Sequence, residues 1–479
     1  MKGLLAGYLP EAPVFDEFAD EQGSPREHYA GLATTLAAMA GADINERLAQ
    51  IDSTLLQRGV TFTVYSDARG TERVLPFDPL PRIVPAHEWA RLEAGIAQRV
   101  RALNAFLHDV YHEQRIVRAH KVPVEIVYSS QFYNRNMIGI DPPGRVYVHV
   151  SGIDLIRDGN GDYLVLEDNL RTPSGIAYVL ENREILKRTF PQLFRDYTPR
   201  PVDDYPARLR RALTRVAPFG VDDPTIVILT PGIYNSAYFE HALLARRMGV
   251  ELVEGQDLIV HDNFVYMKTT KGLARIDVIY RRIDDEYLDP LYFRPDSALG
   301  AAGIFDSYRA GNVTLANAPG TGVADDKAVY PYVPEMIRFY LGEEPVLANV
   351  MTYDLTVETQ RRHVIGNLAQ LVVKRAGASG GYGMLIGPAS TAHEREVFAA
   401  AIEASPRDYI AQPVIELSSH PTLVEGGLAP RRIDLRPFVL YGDAIDCPPA
   451  ALTRVALESG SLVVNSSQGG GSKDTWILC

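Results

Sequence analysis

The sequence predicts an α+β chain, and three observations lead there. Apolar residues recur at helical intervals in two long stretches near the start, a strand–helix–strand order follows near the middle, and the last third alternates short strands with helices. A chain of 479 residues is too long for one core. A prior of roughly 150 residues per domain gives about three packed units.

Taking the elements in order, Leu32, Leu36, Met39 and Leu48 mark a helical region from Ser24 to about Gln50, and His87 to Leu107 repeats the pattern. Between them, Thr61–Tyr65 and Val74–Pro76 flank Asp67–Gly70, a hairpin whose glycine supplies the turn. The stretch from Val124 to Asn169 reads as strand-rich, and a helix follows from Ser174 to Phe190. Proline and charge between Tyr197 and Pro206 mark a linker. Thr225–Leu229 then reads as a buried strand, Ser236–Met248 as a helix, and Glu251–Val253 and Asp277–Tyr280 as strands, an α/β unit with a parallel sheet.

Composition narrows the function classes. A formal charge of −12 does not suit a protein whose main partner is nucleic acid, which is held by clustered Lys and Arg. The two cysteines, Cys447 and Cys479, support neither a disulfide framework nor a metal motif. Pro10, Glu11, Pro13 and Asp16 interrupt any leader-like start, and no stretch approaches the ~20 apolar residues of a membrane span. The reading is a cytoplasmic protein.

The most informative segment is GIDLIRDGNGDYLVLEDNLRTPSG, residues 152–175. Its Asp158-Gly159-Asn160-Gly161 turn signal between alternating apolar runs predicts a β-hairpin. With Gly159-Asn160 as a two-residue loop, Asp154 lies opposite Val165 and shares a face with Glu167 and Asn169, while Asp168 points away. Two carboxylates and an amide oxygen on one face fit a hard cation such as Mg²⁺; taken alone, a solvated acidic strand face fits equally well.

In Leu371–Met384 an apolar strand ends in Lys374 and enters a loop containing Gly380, Gly381 and Gly383, which either brings N–H groups to a phosphate or is a simple turn. Neither GxGxxG nor GxxxxGK[ST] spacing occurs, which disfavours dehydrogenase and Walker-type readings. Lys327 follows Asp325 and Asp326 in a segment that alone reads as a surface loop. Gln412 precedes Pro413 at the end of a short strand, either a base-reading hinge or a kinked connector. Arg432, Asp434 and Arg436 share a strand face, and Arg454 and Lys473 follow; arginine forks suit triphosphate recognition and also make ordinary ion pairs.

The order of these segments resembles the circularly permuted ATP-grasp family, the bacterial branch related to glutathionylspermidine synthase and often found beside an alpha-E protein. The resemblance spans nearly the whole chain, through FDEF, LPFDPLPRIVPAHEW, GIDLIRD, LEDNLRTPSG, LTPGIYNSAYFEH, VIYRRIDD, ADDKAVY, VVKRAGASGGYGM, YIAQP, RRIDLRPFVL and SLVVNSSQGGGSKDTW. It implies a helical N-terminal region (1–120), a permuted metal-binding segment (121–200), a Rossmann-like pre-ATP unit (207–325) and a nucleotide-binding region (326–479), with nucleotide between two antiparallel sheets.

Carried over residue by residue, the resemblance implies Asp154, Glu167 and Asn169 as Mg²⁺ ligands and Lys327 and Lys374 as nucleotide-binding lysines. It further implies Gly380, Gly381 and Gly383 as the phosphate-covering loop and Gln412 as part of the adenine hinge; Arg436 and Arg454, from the arginine pattern itself, are expected catalytic residues at the triphosphate. Relatives carry an Arg two residues before the first metal Asp; Gly152 stands there, and Arg171 is the expected substitute. Cys447–Leu452 also replaces an expected Pro-Gly-Gly-Leu. Tyr234, Asn235, Ser236, Tyr238, Glu240 and His241, at a strand-to-helix passage, are expected to face an acceptor pocket. The implied activity is an ATP- and Mg²⁺-dependent joining of a carboxylate to an amine through an acyl phosphate. A phosphotransferase and a silent ATP-binding partner subunit are the alternatives.

Overall fold

The computed structural model describes the chain except residues 1–3, 6, 12, 40, 64–71, 379–382, 426 and 466–468. Its organising element is a nine-stranded mixed sheet whose central strands are Val150–Arg157, Gly427–Tyr441, Ala451–Val455 and Gly471–Ile477, each antiparallel to the next. Tyr163–Asn169 pairs with the outer side of Val150–Arg157, and Ala348–Asn349 adds beyond it in parallel. Side chains alternate across such strands, so each has a back and a front. Ile153, Leu155, Val165, Leu435 and Val439 point back into a cluster with Trp89, Leu92, Ile96 and Val100. Those four lie on the helix Ala86–Tyr111 at the three- and four-residue spacing that makes one apolar stripe. Each fully buried aliphatic side chain there contributes roughly 1.5–3 kcal/mol, which fixes the sheet's facing.

The far edge of this sheet is Phe77–Val84, parallel to Gly471–Ile477. The sequence reading did not anticipate that strand, because Pro79 and Pro81 interrupt it. An edge strand tolerates prolines where one side needs no N–H donors.

The hairpin at residues 150–169 is present with a different register. Arg157 pairs with Tyr163, so the loop spans Asp158–Asp162 instead of two residues. That slip alone would turn Glu167 to the back of the sheet. A bulge between Asp154 and Leu155 opposite Val165–Glu167 restores the facing, so that Asp154 lies directly across from Glu167.

A four-stranded antiparallel sheet, ordered Tyr353–Asp354, Tyr409–Pro413, Leu371–Arg375, Leu385–Ile386, stands over the front of the large sheet. A separate parallel sheet has the order Thr314–Ala316, Val278–Arg281, Ile226–Leu229, Glu251–Val253. It is the strand–helix–strand unit expected from the sequence, with its helix at Tyr238–Met248.

Two other expectations are corrected. The helical stretch after Ser24 is two helices, Ala30–Ala38 and Gly41–Arg58. Residues 124–148 hold no strand: Val124–Tyr128 is a short helix entered from Pro123, with Ile126 and Val127 buried in a core cluster. Its alternating β-branched residues mimic a strand, and tertiary packing overrides that local preference. Among the described residues, no helix is long and apolar enough to cross a membrane.

Candidate functional site

The front of the large sheet and the inner face of the small sheet enclose a cleft whose two ends differ in chemistry. One end gathers Asp154, Glu167, Asn169, Lys327, Lys374, Asp434, Arg436 and Arg454. The other is an apolar slot, with Ile156, Leu166 and Leu417 on one side and Val372, Met384 and Ile386 on the other.

Asp154 is at the centre of the charged end. Its Oδ1 accepts hydrogen bonds from Arg436 Nε at 2.5 Å and Asn169 Nδ2 at 3.2 Å. Its Oδ2 accepts from Arg436 Nη2 at 2.8 Å and Arg454 Nη2 at 2.7 Å. Burial alone would raise the carboxyl pKa, but Arg436 and Arg454 outweigh it and hold the group well below the usual range. Arg454 also clasps Asp434, donating from Nε at 2.9 and 3.0 Å. For Asp434 burial prevails over Arg454, and its pKa is raised.

Opposite Asp154, Glu167 is ion-paired to Lys327 Nζ, which also donates to the Ala378 carbonyl at 2.7 Å. Burial would lower the Lys327 pKa, and Glu167 reverses the direction. Lys374, on the small sheet, makes no hydrogen bond or ion pair among the described residues. Burial pushes its pKa down to about 8, with Lys327 adding to the drop and Glu167 and Asp154 opposing it.

Whether these groups suit a divalent cation can be judged from their free lone pairs. Asn169 Nδ2 is committed to Gly152 O at 3.1 Å and to Asp154, which leaves Oδ1 as an acceptor unused among the described residues. Glu167 keeps Oε2 unbonded among the described residues. The set of two carboxylates and an amide oxygen is the hard-oxygen chemistry of Mg²⁺. Asp154 differs, since its four contacts use all of its roughly four lone-pair sites. It can ligate a cation only after one guanidinium moves off.

The space over Gly152 is taken by Arg436. A Cβ on Gly152 would stand 3.3 Å from Arg436 Cδ and 3.3 Å from Pro173 Cβ. A guanidinium from the neighbouring strand therefore stands over this position. Arg171, the expected substitute, is elsewhere: it lies over the Phe132 ring and faces Asp325 and Asp284 in a separate pocket. Its main chain is drawn there because Asp325 Oδ2 accepts the Leu170 and Arg171 N–H groups at 2.8 and 3.0 Å.

At the apolar end, Gln412 is buried with Nε2 donating to Thr352 Oγ1 at 2.9 Å. Beyond Pro413 the strand pairing stops, and Val414 and Ile415 line the slot with main-chain groups outside any ladder. Gly383 takes φ +68°, a left-handed conformation that favours glycine; Gly380 and Gly381 lie outside the described residues.

The expected acceptor residues behave differently. Glu240 is buried, accepts the Gly175 and Ala177 N–H groups at the start of the Ile176–Thr189 helix, and pairs with Arg282. His241 is buried against Thr230 Oγ1 at 2.9 Å. Glu240 ties the parallel-sheet unit to the start of the Ile176–Thr189 helix, His241 packs within the unit itself, and neither lines the cleft. Arg432 turns to Glu416 and Glu11, and Lys473 is buried on Asp78, so neither reaches the cleft. Sequence reasoning gave Asp434 no role of its own, although it stood between the two arginines singled out there. The slot residues carried no signal beyond their apolarity.

The family model of circularly permuted ATP-grasp type 2 matches residues 81–456, and the chain belongs to that family. It is 53% identical to an uncharacterized protein of Synechocystis sp., covering 99% of this chain and 98% of that one. It is 45% identical to a Frankia alni protein named "Putative glutamate--cysteine ligase 2-3", covering 99% of this chain and 54% of the relative, so it spans about half of that protein. Among solved structures, a glutathione synthetase-like effector from Globodera pallida superposes with a TM-score of 0.57 at 12% identity, over 92% of this chain and 98% of that one; the likeness is one of fold.

Proposed function

We propose that this circularly permuted ATP-grasp protein is an ATP- and Mg²⁺-dependent carboxylate–amine ligase that works through an acyl phosphate. The observation that carries the reading is the two-ended cleft: an apolar slot beside a free strand edge runs directly into a cluster of two lysines, two arginines and three oxygen ligands. A purine base suits the slot, and the Val414–Ile415 main chain can read its edge by hydrogen bonds. The polyphosphate then extends toward Lys327 and Lys374. The name carried by the Frankia relative, a ligase joining glutamate and cysteine, agrees in reaction class.

In this reading Lys374 is the first contact for phosphate, because among the described residues its side chain has no partner to give up. Arg436 and Arg454 exchange part of their hold on Asp154 for γ-phosphate oxygens, which frees Asp154 lone pairs. Asp154, Glu167 and Asn169 would hold Mg²⁺, whose contribution when bound is to offset charge on the β- and γ-phosphates. Lys327, released from Glu167, and the two arginines stabilise the charge that spreads over the migrating phosphoryl group. A substrate carboxylate oxygen attacks the γ-phosphorus, the bond to the ADP oxygen breaks, and an amine then displaces phosphate from the acyl carbon. Among the described residues, no Ser–His or Cys–His pair lines the cleft to offer a covalent alternative.

The test is to supply purified protein with ATP, Mg²⁺ and pooled amino acids, small peptides and amines. ADP release, hydroxamate formation with hydroxylamine, and transfer of one labelled carboxylate oxygen to phosphate are expected. AMP with pyrophosphate would overturn the acyl phosphate, and a stable phosphorylated product would identify a phosphotransferase instead.

A further inference from the structure

We infer that His108, His112 and Asp141, none of which lines the cleft, form a binding site for a divalent transition-metal ion of the zinc class. The two histidines lie four residues apart at the end of the Ala86–Tyr111 helix, which puts both rings on one face. The rings stack with centroids 4.2 Å apart. Their Nε2 atoms stand 3.1 and 3.4 Å from the same oxygen, Asp141 Oδ1.

The protonation pattern favours an ion. His112 Nδ1 lies 2.9 Å from the His108 carbonyl oxygen, which can only accept, so Nδ1 carries the proton. In the neutral ring, Nε2 is then a bare lone pair aimed at a carboxylate. Both Nε2 atoms are shielded from solvent, and among the described residues neither has an aligned hydrogen-bond partner, although His108 Nε2 is within hydrogen-bonding distance of Asp141. The His112 lone pair and the carboxylate oxygen it meets repel unless a cation lies between them. The missing alignment is what a shared ion produces, because each lone pair then points at the ion and not at its neighbour.

A shared proton is the competing occupant. Burial lowers the basicity of His108, and so does the facing His112, against the pull of Asp141. Arg145 Nε, 3.6 Å from Asp141 Oδ1, already supplies that oxygen with positive charge. The spacing suits a metal: ligand bonds of about 2.0–2.1 Å in a tetrahedron set donors about 3.3 Å apart. Two imidazoles and one carboxylate select zinc, cobalt or nickel over Mg²⁺. The half-exposed Asp141 leaves the remaining position to water.

The segment carrying Asp141 is already docked beside the helix. Asn104 donates to the Arg145 carbonyl at 2.9 Å and accepts the Tyr147 N–H at 2.8 Å. An ion would therefore meet preplaced ligands and lock the helix end to the chain leading into Val150–Arg157.

The experiment uses full-length protein freed of metal with a chelator and titrated with ZnCl₂ and with CoCl₂ in Mg²⁺-free buffer. One equivalent of Zn²⁺ should bind, at least tenfold more weakly in the His108→Gln/His112→Gln double variant and in Asp141→Asn. Cobalt should give visible absorption bands that the double variant loses. The thermal response to ATP and Mg²⁺ should persist in these variants, which keeps this result separate from the ligase reading and verifies folding. Equal binding by parent and double variant, or no ion bound by the parent, overturns the inference. So does a melting temperature that tracks pH through these histidines without any metal bound.

Discussion

The two walls of the cleft treat their charges in opposite ways. On the large sheet, Asp154, Arg436, Arg454 and Asp434 neutralise one another, and Asp154 has no lone pair to spare. On the small sheet, the Lys374 side chain has no partner among the described residues, and its pKa is depressed. The first wall is held by its own contacts; the second carries an unmet electrostatic demand that an anion satisfies. A wall of the first kind secures the fold, and one of the second kind costs stability until ligand arrives.

The largest expected effect comes from breaking the first wall. Asp154→Ala leaves two guanidinium groups without their shared carboxylate, at a cost of about 3–5 kcal/mol for a broken buried pair. A large drop in denaturation midpoint without nucleotide is expected; an unchanged midpoint would dissolve the contrast between the walls.

Next is Lys374→Met, which should lower ATP turnover about 100-fold or more, the scale of losing one preorganised charge contact. The ligand-free protein should melt at the same temperature or higher, and its rise in melting temperature with ATP and Mg²⁺ should shrink. A destabilised ligand-free variant would show that Lys374 is structural.

Adjacent hairpin residues sharpen the comparison further. Glu167→Gln should lower turnover at least tenfold while keeping the fold, since one charged oxygen ligand is lost. Asp168, on the back face, holds buried Arg99 through contacts of 2.6 and 2.7 Å. Asp168→Asn should therefore act on thermal stability first, and Glu167→Gln on catalysis; matching profiles would contradict the two facings.

The smallest effect is a pH dependence. Phosphate binding needs Lys374 charged, so ATP affinity should fall about tenfold from pH 7 to 9 around a pKa of about 8, with proton uptake visible by calorimetry in buffers of different ionisation enthalpy. Stability moves the other way. Between about 8 and the ordinary lysine value of 10.5, the unfolded chain binds a proton the folded chain lacks, so ligand-free stability rises with pH across that window. Lys374→Met should flatten both trends.

Local pattern in the sequence determined much of this arrangement. Alternation put Glu167 and Asn169 on one face of their strand and Asp168 on the other, while the bulge at Asp154–Leu155, with Ile153 and Leu155 buried against the Ala86–Tyr111 helix, brings Asp154 to the same face. The strand-to-helix order after Thr225 likewise announced a parallel sheet, because its buried strands are continuous apolar runs. Tertiary structure alone decided what depends on distant chain segments. Which arginine covers Gly152 was settled when Phe438 came into register with it, bringing Arg436 across from 284 residues away in sequence. Arg171, only 19 residues away, was captured by Asp325. Proximity along the chain pointed to the nearer arginine. Strand pairing chose the farther one, since register is fixed by burial of whole sheet faces and no local pattern encodes which distant strand will supply it.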